Sequence, residues 1–226
     1  MAISPDSAIE VSALRWVPEG PRGLVKDLRV RWALEEAGLD YRVRLIGAER
    51  PQGYEIDQPF NQVPCFCDGS VRFFETGAIL QYLGEKSEAL LPRQQEAKYR
   101  AIQWTYAAVN SVEPFVQFRA LLNSFWADRD WAEGAKPTFD ELAQLRLSQL
   151  ANWLGEKQWL EDRFTIGDIM MVTVLRLAAR SGQLDAFDNL ISYVKRGQER
   201  PAFQRALADQ LAAYDQNQPQ PQGEAA

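Results

Sequence analysis

Residues 41–46 (YRVRLI) set apolar Tyr41, Val43 and Leu45 against Arg42 and Arg44, the period-two pattern of a half-buried strand. Residues 9–16 (IEVSALRW) read as an earlier strand, and a loop rich in Pro and Gly, VPEGPRG, follows it. Residues 24–38 (LVKDLRVRWALEEAG) then change to helical periodicity, with Val30, Ala33, Leu34 and Ala37 at successive helical spacings. Arg31 and Glu35, four apart, are expected on the outer face of that helix, and Gly38 stops it. Strand, helix and strand in this order predict a βαβ unit with parallel strands and a right-handed crossover.

The next stretch, GAERPQGYEIDQPFNQ, is irregular and has room for one short helix. VPCFCDGSVRFFE predicts a hairpin turning on Asp68-Gly69. Glu75-Thr76-Gly77 opens a helix with Ile79, Leu80 and Leu83 on one face, and a linker over 87–93 ends in Leu91-Pro92. Everything after that reads as helix. Residues 94–126 form a long helix that Pro114 should kink or break, and 138–156 form another through Ala143, Leu147, Leu150 and Leu154. Thr165-Ile166-Gly167-Asp168 has the pattern of a capping box ahead of an apolar helix, and shorter helices fit 186–199 and 201–214. The expected architecture is an α/β domain of order βαβαββα over 1–86, a linker over 87–93, and an all-α domain over 94–214. Residues 215–226, rich in Gln and Pro, have little to bury and are expected to be a disordered tail.

Composition narrows the chemistry. Among 226 residues there is no histidine, which removes Ser-His-Asp and Cys-His catalysis and HExxH zinc sites; no metal is expected. Any general base near neutral pH must be a perturbed carboxylate, Lys or Tyr. The net charge of −6 argues against a duplex nucleic-acid partner, and no apolar run approaches the ~18 residues of a membrane helix. The two cysteines, Cys65 and Cys67, form a CxC pair poorly placed for a mutual disulfide. No basic n-region precedes an apolar stretch near Met1, so a reduced, cytoplasmic protein is expected.

Three short motifs, in order, give this pattern a resemblance. Gln58-Pro59-Phe60-Asn61-Gln62-Val63-Pro64 ends in Val-Pro, Glu75-Thr76-Gly77-Ala78-Ile79 crosses from strand to helix, and Thr165–Asp168 opens a helix in the second domain. Together they resemble the cytosolic glutathione S-transferases over residues 10 to 214. The resemblance implies a thioredoxin-like N-terminal domain with a mixed four-stranded sheet. It also implies glutathione as co-substrate, a small hydrophobic electrophile as second substrate, a homodimer, and a role in detoxification. Val63, ahead of a cis Pro64, would offer its backbone to the cysteinyl part of glutathione. Thr76 and the free N–H groups beginning its helix would take the γ-glutamyl carboxylate, and Glu75 the ammonium. Gln62 would add a polar contact. The plainer readings are an edge-strand proline and ordinary helix capping.

The resemblance breaks at one place. Family members carry a Tyr, Ser or Cys at or just after the end of the first strand, whereas residues 13–40 contain no Ser, Thr, Tyr, Cys or Asn, and Ser12 lies inside the strand. Thiolate stabilisation would then fall to helix N–H groups and to cations, which lower thiol pKa values. Five basic residues against Glu19 and Asp27 between Ala13 and Trp32 make that region locally positive. Arg22, beside Gly23, is the candidate cation, and Trp16 a candidate pocket wall; a solvated Arg22 is the competing reading. Cys65 could form a mixed disulfide with glutathione or simply pack as a small apolar side chain. Tyr106, Asn110, Phe115 and Phe118 are candidate contacts to the acceptor, against a plain core role. Phe73, Phe74 and Arg72 are candidates for the dimer contact. Three functions stay open: thiolate transfer to an electrophile, a glutathione-disulfide reductase or peroxidase-type activity, and a non-catalytic binding or regulatory protein.

Overall fold

A computed structural model describes residues 3–219 and divides them into two compact units. The end of the expected tail, 220–226, lies outside the described residues.

The first unit, residues 3–79 with 202–219, is built on a sheet of order β2-β1-β3-β4. Its strands are β1 (Ile9–Leu14), β2 (Arg42–Ile46), β3 (Cys65–Asp68) and β4 (Val71–Phe74). β1 and β2 pair in parallel, with Val11 opposite Val43, as a βαβ unit requires. β3 runs antiparallel to β1, and β4 closes the hairpin with Cys65 opposite Phe74. The mixed four-stranded sheet of a thioredoxin-like domain is therefore present. The hairpin turns one step later than its sequence suggests: Asp68 pairs with Val71, leaving Gly69-Ser70 at the tip, where Gly69 takes a φ of 60°.

Helix α1 (Asp27–Ala37) starts three residues later than its periodicity predicts, because 19–26 fold as successive turns. Its polar residues are also not where helical spacing put them. Arg31 is 1% exposed and bonds Asp27, itself fully buried, through Nε at 2.8 Å. The expected outer face is covered by a helix from the far end of the chain, α9 (Pro201–Gln216). Gln210 Nε2 donates to Asp27 Oδ1 at 2.8 Å, Arg205 Nε donates to Glu35 at 2.7 Å, and Phe203 packs edge-on against Trp32. Burial works against the Arg31 charge, but Asp27, with Tyr41 and Tyr214 nearby, more than offsets it, so the guanidinium stays protonated. α9 thus groups with the sheet, although sequence order alone placed it with the other helices. It also runs two residues into the stretch expected as a tail, and Asp215 is one of its paired residues.

The second unit, residues 80–201, is helical. α4 (Gln95–Ala107) passes into one π-helical turn over 108–112, and α5 (Glu113–Leu121) resumes with Pro114 in its first turn. Pro114 does interrupt the long helix, and Leu122 to Trp131 form turns instead of its expected continuation. α6 (Ala132–Leu154) begins six residues before its expected start and runs through Pro137, whose fixed φ is compatible with helix at the loss of one bond. α7 (Ile166–Arg180) is buried almost throughout, and its capping box forms as the sequence predicts. Asp168 Oδ2 accepts from Thr165 N–H, and Oδ1 from Leu160 N–H and the Tyr193 hydroxyl. Burial pushes that carboxyl up to about 6 while these donors pull it down. Gly167 is required there: a Cβ would lie 2.7 Å from the Cβ of Trp104 on α4. α8 (Asp188–Gln198) completes this unit. Among the described residues no helix is long and apolar enough to cross a membrane.

Candidate glutathione-type site

Sheet register gathers the motif residues at one end of the first unit. With Cys65 opposite Phe74, one step further brings Pro64 toward Glu75, the last residue before α3 (Thr76–Lys86). With Val11 opposite Phe66, continuing β1 brings its end, and with it Arg15 and Trp16, toward Val63. Arg29, buried on α1, reaches Thr76 Oγ1 through Nη1 at 3.5 Å, so α1 and α3 meet at the same end.

Val63-Pro64 is cis, as expected. Val63 is half-buried, and its own N–H and carbonyl bond no other group among the described residues. Gln62 and Glu75 are exposed, and neither side chain has a hydrogen bond or ion pair there. Thr76 is buried at the start of α3, where Ile79 N–H already bonds back to the Glu75 carbonyl. Glu75 takes a φ of +75°, a left-handed conformation that costs a non-glycine residue free energy. Free backbone beside an exposed carboxylate and a helix N-terminus offers both halves of a zwitterionic amide ligand a partner.

Behind this surface lies a group that the sequence reading passed over. Ser12 sits inside β1 as expected, and it is not idle: Cys65 N–H donates to Ser12 Oγ at 2.7 Å, and Ser12 Oγ lies 2.8 Å from Tyr54 Oη. Tyr54, on the short helix α2 (Tyr54–Asp57), donates in turn to the Gln62 carbonyl at 2.7 Å. Burial pushes the Tyr54 hydroxyl above its ordinary value, so it remains a donor. Arg50 braces the same loop by donating to the carbonyls of Gly47 and Asn61. Cys65 is buried and its thiol is pushed up by burial and by Asp57, the state of a packed cysteine rather than a reactive one.

The cations near the end of β1 divide sharply. Arg31 belongs to Asp27, as described above. Arg22, with only 16% of its side chain exposed, donates from Nη1 to Asp215 at 2.7 Å and lies 3.6 Å from Glu19. Arg15 is exposed, and no ion pair engages its side chain among the described residues; Trp16 beside it is partly exposed. Of the acceptor candidates, all in the second unit, Tyr106 and Asn110 are exposed, and Asn110 lies in the π-helical turn. Phe115 lies beneath Arg146, and Phe118 stacks on Trp126 and leans on Phe139. No cluster of three or more Cys, Asp or Glu able to hold a metal occurs among the described residues.

The first unit is thus a thioredoxin-like sheet with a cis-proline ahead of β3 and a strand-to-helix junction beside it. Residues 22–85 match the family described as glutathione S-transferase, N-terminal domain. A glutathione S-transferase of Triticum aestivum is 23% identical over 194 residues, covering 84% of this chain and 89% of that protein. The disulfide-bond oxidoreductase YfcG of Escherichia coli is 34% identical over 95 residues, 37% of this chain and 44% of that one. Among solved structures, a glutathione transferase family member from Pseudomonas fluorescens, with two glutathione bound, superposes with a TM-score of 0.77 at 26% identity. It covers 88% of this chain and 92% of that one. Residues 22–85 thus match a glutathione S-transferase N-terminal domain, and the relatives and structural neighbours that the whole chain resembles are glutathione transferases.

Proposed function

We propose that the protein is a glutathione-dependent transferase that binds the tripeptide at residues 62–64 and 75–76 and passes its thiolate to a hydrophobic electrophile. The observation that carries this reading is the unengaged Val63 backbone at the same sheet end as the unpartnered Glu75 carboxylate and the start of α3. Val63 pairs with the cysteinyl amide, Glu75 takes the ligand's ammonium, Thr76 and the first N–H groups of α3 take the γ-glutamyl carboxylate, and Gln62 adds a contact along the backbone. With its ends fixed, the thiol is presented near the end of β1 and the segment 15–26, walled by Trp16. The sulfur then attacks the electrophile, forming an S–C bond and releasing a leaving group or adding across a double bond. Positioning and a lowered thiol pKa suffice for this, and no histidine is required. Tyr106 and Asn110, exposed aromatic and amide groups, are the readiest contacts for an apolar acceptor, with Phe115 and Phe118 the other candidates.

Two arginines compete as the thiolate's counter-charge. Arg22 is already neutralised by Asp215, whereas Arg15 is exposed and unengaged. Thiolate absorbance of bound glutathione, followed against pH, decides between them. In the wild type the thiol should titrate at least one unit below its usual ~8.5. Arg15→Ala is expected to return it toward that value by about half a unit or more, with Arg22→Ala moving it less. The reverse order assigns the role to Arg22; no binding of glutathione by the wild type removes the proposed function altogether.

A second reading, glutathione-disulfide reduction, is favoured by the missing hydroxyl over 13–40 and by the kinship to a disulfide-bond oxidoreductase. Turnover of a disulfide substrate without conjugation of any electrophile would select it. A bound glutathione with an unshifted thiol would select the non-catalytic alternative.

The homodimer is part of the same proposal. Ile56 is 84% and Phe60 66% exposed, and Phe60 packs edge-on against Phe74 of β4 beside partly exposed Val71. Arg72, bonded to Asp57 at 2.8 Å, borders them. Such a patch is costly in water and suits a second copy. Phe60→Glu is expected to convert a dimer into a monomer in sedimentation velocity; a mass unchanged by the substitution would place the interface elsewhere.

A further inference from the structure

We infer that Ser12 and Tyr54 are positioning residues for the tripeptide site: a two-hydroxyl chain behind residues 62–65 that aims the Val63 N–H at the ligand. The inference rests on the proposed glutathione site and extends it to two residues that do not touch the ligand.

The direction of the chain is fixed by its ends. Cys65 N–H can only donate and the Gln62 carbonyl can only accept. Tyr54 gives its one proton to Gln62, so the proton between Ser12 and Tyr54 must come from Ser12, whose oxygen is left to accept from Cys65. Both hydroxyls are thereby used in one order, and Ser12 and Tyr54 are almost wholly buried. A chain of this kind is not a filler of space; it has a sense, and either hydroxyl removed leaves a buried partner unpaired.

What it holds is a pair of peptide planes. In a trans peptide the carbonyl and the following N–H point in opposite directions. The Gln62 carbonyl drawn inward to Tyr54 therefore turns the Val63 N–H outward, away from the buried hydroxyls. By the same geometry, Cys65 N–H drawn inward to Ser12 turns the Pro64 carbonyl outward. The two bonds bracket the dipeptide from β1 on one side and α2 on the other, which accounts for a Ser within a strand whose other central residues, Val11 and Ala13, are apolar. It also accounts for a tyrosine hydroxyl in an otherwise apolar cluster with Ile46, Cys65 and Val63. Arg44, 5.5 Å from the Tyr54 ring, and Arg50 on the 47–61 loop hold the outer side.

The test is glutathione titration by calorimetry of the full-length protein and of Tyr54→Phe, Ser12→Ala and Ser12→Thr, with the pH titration of the bound thiol measured in each. Tyr54→Phe, which keeps the ring, and Ser12→Ala are each expected to weaken glutathione binding by about tenfold, the effect of misaiming one hydrogen bond. Ser12→Thr retains the hydroxyl and is expected to bind within about twofold of the wild type. The bound thiol should titrate where it does in the wild type, because the chain aims the peptide backbone and not the sulfur. If an active acceptor is in hand, the KM for glutathione rises with kcat nearly unchanged. Wild-type affinity in both Tyr54→Phe and Ser12→Ala overturns the inference and leaves the proposed function standing. So does an equal loss in Ser12→Thr and Ser12→Ala, or a thiol pKa that moves with the affinity. A wild type that fails to bind glutathione overturns instead the reading on which the inference rests.

Discussion

Asp27→Ala is expected to cost about 3–5 kcal/mol of folding stability, because it leaves the Arg31 guanidinium buried without the one carboxylate bonded to it. Asp27 accepts from Arg31 Nε and from Gln210 Nε2, both at 2.8 Å, so Arg31 Nε loses its acceptor and Gln210 Nε2 is left only its longer 3.3 Å bond to the Val25 carbonyl. Neither can turn to water, since Arg31 and Gln210 are buried with it. The cost arises from stranding a charge and not from the worth of the pair itself, which sets a second expectation. Asp27→Ala combined with Arg31→Met should recover most of the loss, since a buried pair replaced by apolar groups is often neutral. Reversible urea unfolding of the two variants measures both. A single-variant loss under about 1 kcal/mol would mean that water reaches Arg31, contrary to the packing of α9 over α1.

That buried pair also shows where reading along the chain ran out. Strands, hairpin and capping box were legible because their signals are local: alternation in YRVRLI, a glycine at the hairpin tip, Thr165 three residues before Asp168. Val63-Pro64 and Glu75-Thr76 were legible for the same reason, and strand pairing brought them to one end. What stayed hidden depends on partners far away in sequence. Arg31 and Glu35 have the spacing of a solvent-facing helical pair, and nothing near them announces Gln210 or Arg205, the latter 170 residues from Glu35. Arg22 read as a free loop cation because Asp215, its partner, is 193 residues on and fell in a stretch too polar to suggest a helix. Ser12 read as too early in its strand to serve the sulfur. Its actual partners, Tyr54 and Cys65, are 42 and 53 residues away, and no periodicity connects them. The one available signal was a lone hydroxyl among the apolar residues of a central strand, which must find a partner when buried.

Glu75→Gly should move stability and binding in opposite directions, which separates a ligand-binding glutamate from a capping one. Glu75 holds a φ of +75°, and no side-chain bond or ion pair among the described residues secures it there. A non-glycine residue in that region carries a cost of about 1–3 kcal/mol, part of which is offset by the added chain entropy of a glycine in the unfolded state. The glycine variant is therefore expected to be about as stable as the wild type or up to about 1 kcal/mol more stable, with the Ile79 N–H bond to the residue-75 carbonyl intact. Glutathione affinity should nonetheless fall by about 10–150-fold, the range for losing a hydrogen bond to a charged group. Glu75→Gln separates charge from shape: it keeps the side-chain length and the strained backbone, and should lose nearly as much affinity with no gain in stability. If Glu75 served only to cap α3, its removal would lower the melting temperature and leave glutathione titrations unchanged. A glycine variant that binds glutathione as tightly as the wild type removes Glu75 from the site. A variant more stable yet poorer at binding shows that the strain at residue 75 is retained for the ligand and not for the fold.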